Sequence, residues 1–203
     1  MKSSFLRAGL ALLCGVILSA CGGSNGSLAL SGSITYVGPT TSGLVLVNNA
    51  NGDKLTIATG TTYFVFGKLL ATDERFDVVV QTAPTGATCE TSEASGTASY
   101  YTVARVAILC KANPYSLGGT VKGLRGSGLV LANGSDTTAV LPAASAGADV
   151  SFAFPTKVAN GALYGVTVLS QPAGQTCSVS SNLNPGTMPT ADQLGLVVNC
   201  ANN

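Results

Sequence analysis

The sequence predicts an all-β chain, organised as two tandem antiparallel β-sandwich repeats with one disulfide each. Three observations lead there. Charged residues make up 9% of the 203 residues and apolar residues 46%, a balance that suits short strands joined by tight turns and supplies a core instead of a disordered coil. Segments of one half recur in order in the other, which is the signature of an internal repeat. Four cysteines fall two per half at corresponding positions.

The strands are read from runs of four to eight residues rich in Val, Ile, Leu, Thr and aromatics, punctuated by Gly, Asn, Asp and Pro. In the first half these runs lie at residues 30–36, 43–47, 54–58, 62–66, 76–82, 88–92 and 103–110. In the second they lie at 116–123, 128–132, 138–141, 149–154, 164–170, 176–180 and 193–200. About seven short strands per half suit two sheets packed face to face, immunoglobulin-like or transthyretin-like in outline.

The repeat is carried by specific matches. Ser42-Gly43-Leu44-Val45-Leu46 returns as Ser127-Gly128-Leu129-Val130-Leu131, preceded by Leu30-Ser31-Gly32-Ser33-Ile34 and Leu117-Gly118-Gly119-Thr120-Val121. Residues 76–89 match 164–177, and each half closes on an apolar strand with a cysteine, at Cys110 and Cys200. Proline restricts the residue before it and lacks a backbone donor, so Asn113-Pro114 is the expected boundary. The expected organisation is a leader at 1–20, a tether at 21–27, and sandwich repeats at 28–113 and 114–203.

Met1 to Ala20 has the parts of a secretory leader: Lys2 and Arg7, an apolar run from Ala8 to Leu18, then Ser19 and Ala20. A run of about 11 residues is short of the ~20 that span a bilayer. At its end, Leu18-Ser19-Ala20-Cys21 resembles the lipobox of bacterial lipoproteins. The resemblance implies cleavage before Cys21, a diacylglyceryl group on its thiol and acylation of the new amino terminus. Several acyl chains anchor stably where one binds only marginally. An ordinary secreted protein with Cys21 free is the competing reading. Gly22 to Ser27 has no apolar side chain and suits a flexible tether. With Gly22 rather than aspartate after the cysteine, resemblance to Gram-negative lipoproteins implies the outer membrane; the face of the membrane stays open.

Cys14 leaves with the leader and Cys21 takes lipid, which leaves Cys89, Cys110, Cys177 and Cys200. In an oxidising compartment the simplest pairing is Cys89 with Cys110 and Cys177 with Cys200. Two other pairings are open, and both cross-link the halves. A zinc site normally shows close cysteine spacing or histidine partners, and the chain contains no histidine.

That absence also removes Ser-His-Asp and Cys-His catalysis and the commonest general base near neutral pH. Asp73, Glu74 and Asp77 cluster before a strand, but the second half has Asn160, Gly161 and Leu163 in that region, so a solvated turn explains them better than a carboxylate pair. Asn49, Asn51 and Asp53 could offer oxygen to calcium, yet with Gly52 they are also what a β-turn requires. Leu141-Pro142-Ala143-Ala144-Ser145 resembles a sortase signal only superficially, and the Asn133-Gly134-Ser135 sequon is uninformative in a bacterium. Tyr63, Phe64, Phe66, Phe152 and Phe154 are read as core before carbohydrate platform. No catalytic residue, metal or cofactor is expected.

With Lys2 and Arg7 removed, eight basic residues face nine acidic ones; this near-neutrality excludes nucleic acid as a partner. The duplicated half, best preserved at Gln171 to Cys177, resembles a tandem β-repeat of uncharacterised bacterial lipoproteins and cell-surface proteins; the first copy departs from it at Thr85 and Ala87. The resemblance implies a non-enzymatic structural or protein-interaction module of the cell envelope, lipid-anchored and with a protein partner. An extracytoplasmic ligand- or glycan-binding module is the alternative, against which the 6% aromatic content counts. A carboxylate hydrolase is the third and weakest class.

Overall fold

The computed structural model describes residues 26–145 and 147–203, and every regular element among them is a strand. The first half contains β1 (Leu28–Val37), β2 (Val45–Asn48), β3 (Asp53–Thr56), β4 (Tyr63–Leu70), β5 (Arg75–Thr82), β6 (Ala87–Ser92), β7 (Ser95–Thr97) and β8 (Val106–Ala112). The chain continues through β9 (Pro114–Tyr115), β10 (Leu117–Lys122), β11 (Leu129–Asn133), β12 (Asp136–Val140), β13 (Val150–Ala153) and β14 (Val158–Ala159). It closes with β15 (Leu163–Tyr164), β16 (Val166–Ser170), β17 (Gln175–Val179), β18 (Gly186–Thr187) and β19 (Gln193–Asn202).

Each half is a sandwich with the same topology. One sheet has the order β4-β1-β8-β6 and its counterpart β13-β10-β19-β17. The facing sheet is β3-β2-β5-β7 in the first half; in the second it is β12-β11-β16, beside which β15-β18 and β14-β9 form separate two-stranded sheets. Pairing is antiparallel apart from one parallel pair in each repeat, β1 with β8 and β10 with β19. The predicted strands are all present with ends shifted by a few residues. Four short ones, β7, β9, β14 and β18, escaped the sequence reading because two or three residues are too few to show a period.

Alternation along the strands explains the cores. In β8, Val106, Ile108 and Cys110 face inward and are buried, and in β4 Phe64 and Phe66 do the same. These join Leu30, Ile34, Leu46, Phe76 and Val78 in one cluster. The second cluster uses the corresponding Leu117, Val121, Leu131, Phe152, Phe154, Tyr164, Val166, Leu196 and Val198. Each fully buried large side chain contributes ~1.5–3 kcal/mol. Phe64 packs edge to face on Phe66 at 5.8 Å, and Phe152 on Phe154 at 6.0 Å. Both pairs belong to the core, while Tyr63 is exposed.

The parallel pair sets the glycine positions. Gly32 lies opposite Val106, and Gly119 opposite Leu196. A Cβ at Gly32 would run into the Val106 carbonyl and the Phe64 ring, and one at Gly119 into the Leu196 carbonyl. The repeated Ser/Gly-Gly step therefore reflects how closely the first and last strands of each repeat approach one another.

Candidate functional site

The four cysteines form two bonds, Cys89–Cys110 and Cys177–Cys200. Cys89 on β6 stands directly opposite Cys110 on β8 in the antiparallel register, and Cys177 on β17 opposite Cys200 on β19. Each bond thus fastens an edge strand to the last strand of its own sheet. In immunoglobulin domains the disulfide joins the two sheets, so the outline is shared and the bracing is not. Cys21 lies outside the described residues.

The polar residues singled out in the sequence build turns. Asn48 is buried, and its Oδ1 accepts the Asp77 amide at 2.9 Å and the Ala50 amide at 3.3 Å. Asn133 does the same in the second repeat, where its Oδ1 accepts the Gly165 amide at 3.0 Å. Asn51 Oδ1 accepts from the Asp53 amide at 3.0 Å, and Asp53 Oδ2 from the Lys68 amide at 2.8 Å. Oxygens committed to backbone N–H groups hold the turn; they do not converge on a cation site. Glu74 Oε2 caps the Ala71 amide at 2.8 Å, Asp73 sits at φ 65°, and Asp77 Oδ2 accepts from Asn49 Nδ2 at 3.1 Å. The acidic cluster is a turn as well. Among the described residues no three His, Cys, Asp or Glu gather as a metal site.

Because β1 and β8 run parallel as neighbours, the chain enters the first repeat at one end and leaves at the other. The same holds for β10 and β19. Where the repeats meet, the turn after β14 reaches into the first repeat. The Asn160 amide donates to the Asn113 carbonyl at 2.8 Å, and its side-chain Nδ2 lies 3.5 Å from the Thr85 carbonyl. Asn160 is 4% exposed, and its amide group fills the space beside Gly86 where a Cβ would go. Gly161, at φ 75°, leaves room for Pro39.

This turn has a copy at the start of the first repeat. Gly161 N donates to Met188 O and Met188 N to Ala162 O; likewise Asp73 N donates to Ala98 O and Ala98 N to Glu74 O. Asn160 and Gly161 thus occupy the places of Thr72 and Asp73. The charged version faces outward, and the Asn-Gly version is the one seated against a neighbour. Sequence comparison saw the substitution without its reason, since the socket lies 75 residues away along the chain.

The far end of the second repeat is closed differently. Gln175, where the first repeat has Ala87, is buried; its Oε1 accepts the Arg125 amide at 2.7 Å and the Gly126 amide at 2.9 Å. Its Nε2 donates to the Gly123 carbonyl at 2.9 Å and to Asn202 Oδ1 at 3.1 Å. Gln171 clamps the Cys177 backbone, accepting its amide at 2.7 Å and donating to its carbonyl at 3.0 Å. The motif glutamines tie loops together and are not presented to a ligand.

Among the open depressions of the described surface, two bear on a site. One of about 460 Å³ is lined by Asn49, Arg75, Asp77 and Ser95 at the end where the chain enters. The other, about 370 Å³, lies over Thr120, Phe152 and Leu194.

No family model matches the chain, and no curated protein matches it in sequence. Among solved structures it is similar to the pilus adhesin SpaC from Lactobacillus rhamnosus GG, at 11% identity and a TM-score of 0.38 over 85% of this chain. The chain spans 31% of that adhesin's length. It is also similar to a C-terminal fragment of that adhesin, at 9% identity and 0.34, covering 86% of this chain and 97% of the fragment. The major pilin protein of Streptococcus pyogenes follows at 10% identity and 0.30, over 87% of this chain and 97% of that one.

Proposed function

We propose that the protein is a non-enzymatic module of the bacterial cell envelope, anchored through lipid on Cys21 and holding a structural or protein-binding surface away from the membrane. The residues 28–113 and 114–203 are its two sandwich units, and 21–27 its tether. One observation carries the reading: the parallel pairing of first and last strands passes the chain through each repeat from end to end. That is the connectivity of a stalk. At about 3.3 Å per residue, a ten-residue strand such as β1 spans roughly 33 Å, so two stacked units reach roughly 60 Å. The seated Asn160 turn fixes the joint, and the two cross-strand disulfides brace the strands that carry the load.

Affinity capture of the full chain from its native envelope, beside the Cys21→Ala variant, tests this. The wild type should fractionate with membranes and bring down specific partners that the variant loses. A wild type recovered in the soluble fraction, or a partner set indifferent to Cys21, overturns it.

A further inference from the structure

Two tyrosines stand outside the core. Tyr100 and Tyr101 are 81% and 78% exposed, and their rings pack edge to face on each other at 5.5 Å. The flanking Ala98 and Val103 are buried and pin the loop to the core. Its position follows from backbone bonds. Ser27 N donates to Leu70 O, the turn after Leu70 bonds to Ala98 through Asp73 N, and Ser31 N donates to Val103 O. The tyrosine loop therefore stands at the end where the chain enters from the tether. Leu69, 53% exposed, pairs with Ala29 at the same end.

The second repeat supplies an internal control. Its corresponding segment, Met188 to Asp192, has no aromatic residue; Asp192 is used to accept the Ser116 amide at 2.7 Å. That end faces the first repeat. Among the described residues, the exposed aromatic pair lies at the end where the chain enters.

We infer that Tyr100 and Tyr101 dock the first repeat on the headgroup layer of the bilayer that holds the lipid of Cys21, which rests on the anchoring reading above. Five residues separate Cys21 from Gly26 inclusive of the latter, so the root of the domain stays within about 18 Å of the anchor. At such range even weak surface contacts are occupied, because the tether makes them intramolecular. Tyrosine suits the site, since its ring enters the interface while its hydroxyl stays hydrated. Asp73, Glu74 and Glu93 at this end are at least as numerous as nearby bases such as Arg75 and Arg105, so zwitterionic headgroups are the partner chosen and anionic attraction is not the force.

The chain has no tryptophan, so the Tyr100→Trp variant carries a single reporter, and Tyr101→Trp gives a second if the first folds poorly. A third variant, Leu141→Trp, puts the reporter in an exposed loop at the far end. The full chain is purified with its lipid and reconstituted in phosphatidylcholine vesicles with and without brominated phosphatidylcholine. Bromine should cut the Tyr100→Trp emission at least roughly twofold and leave Leu141→Trp unchanged. Proteins that float with the vesicles while neither reporter is quenched overturn the docking and leave the anchor intact. Equal quenching of both reporters also overturns it, because the molecule then lies flat. Failure to float overturns the anchor reading and the docking with it.

Discussion

Gly86 and Gly174 occupy matching turns and share a left-handed backbone, with φ 70° and 71°. Alanine at either position pays the same local strain, about 1–2 kcal/mol. Only Gly86 has a neighbour in the way: the added Cβ would strike the Asn160 amide group, whereas nothing lies within 4 Å of the Cβ position at Gly174. Gly86→Ala therefore adds either an overpacking cost of ~1–3 kcal/mol or the loss of the Asn160–Asn113 bond, about 1 kcal/mol, as the repeats part. Denaturant unfolding followed by tyrosine fluorescence gives both losses. Gly86→Ala should exceed Gly174→Ala by roughly 1–3 kcal/mol, and adding Asn160→Ala should return most of that excess in a double-mutant cycle. Equal losses for the two glycines, or no coupling to Asn160, would refute the seated turn.

Three further outcomes follow from the same contacts. Removing either disulfide, as Cys89→Ser with Cys110→Ser or Cys177→Ser with Cys200→Ser, should lower stability by about 3 kcal/mol in calorimetry, given sequence separations of 21 and 23 residues. Gln175→Ala strands the Arg125 and Gly126 amides and should cost ~1–3 kcal/mol, with hydrogen exchange rising at those two amides. Burial raises the Tyr36 phenol above its ordinary value of 10.0. Above pH 10 the unfolded chain releases that proton first, so stability falls as pH rises; Tyr36→Phe should remove that part of the alkaline loss seen in unfolding curves from pH 9 to roughly 11.

The duplicated architecture was legible because both of its signals are local. Alternation marked the strands, and cysteines at corresponding positions in the two halves made the local pairing the simplest of the three, the one the structure adopts. Strand order was not legible. Nothing in the period of Leu30 to Ile34 says that its neighbour is β8 running parallel; the trace of that neighbour is Gly32, whose meaning appears only beside the Val106 carbonyl. β7 has only Ser95, Gly96 and Thr97, which read as a turn. Asn160 looked like a gap in an acidic cluster, and its role depends on a socket formed by Gly86 and Asn113. Tyr100 and Tyr101 escaped notice because adjacent aromatics outside any strand period carry no pattern; their exposure and their end of the sandwich are tertiary facts.

The central claim is a pair of disulfide-braced sandwiches held to a membrane at Cys21. Intact-mass analysis of the protein isolated from its native envelope, before and after reduction, tests it most directly. The account predicts a chain that begins at Cys21, carries the mass of its acyl groups there, and gains four hydrogens on reduction as two disulfides open. A chain with an unmodified Cys21, or one whose mass does not change on reduction, would contradict it.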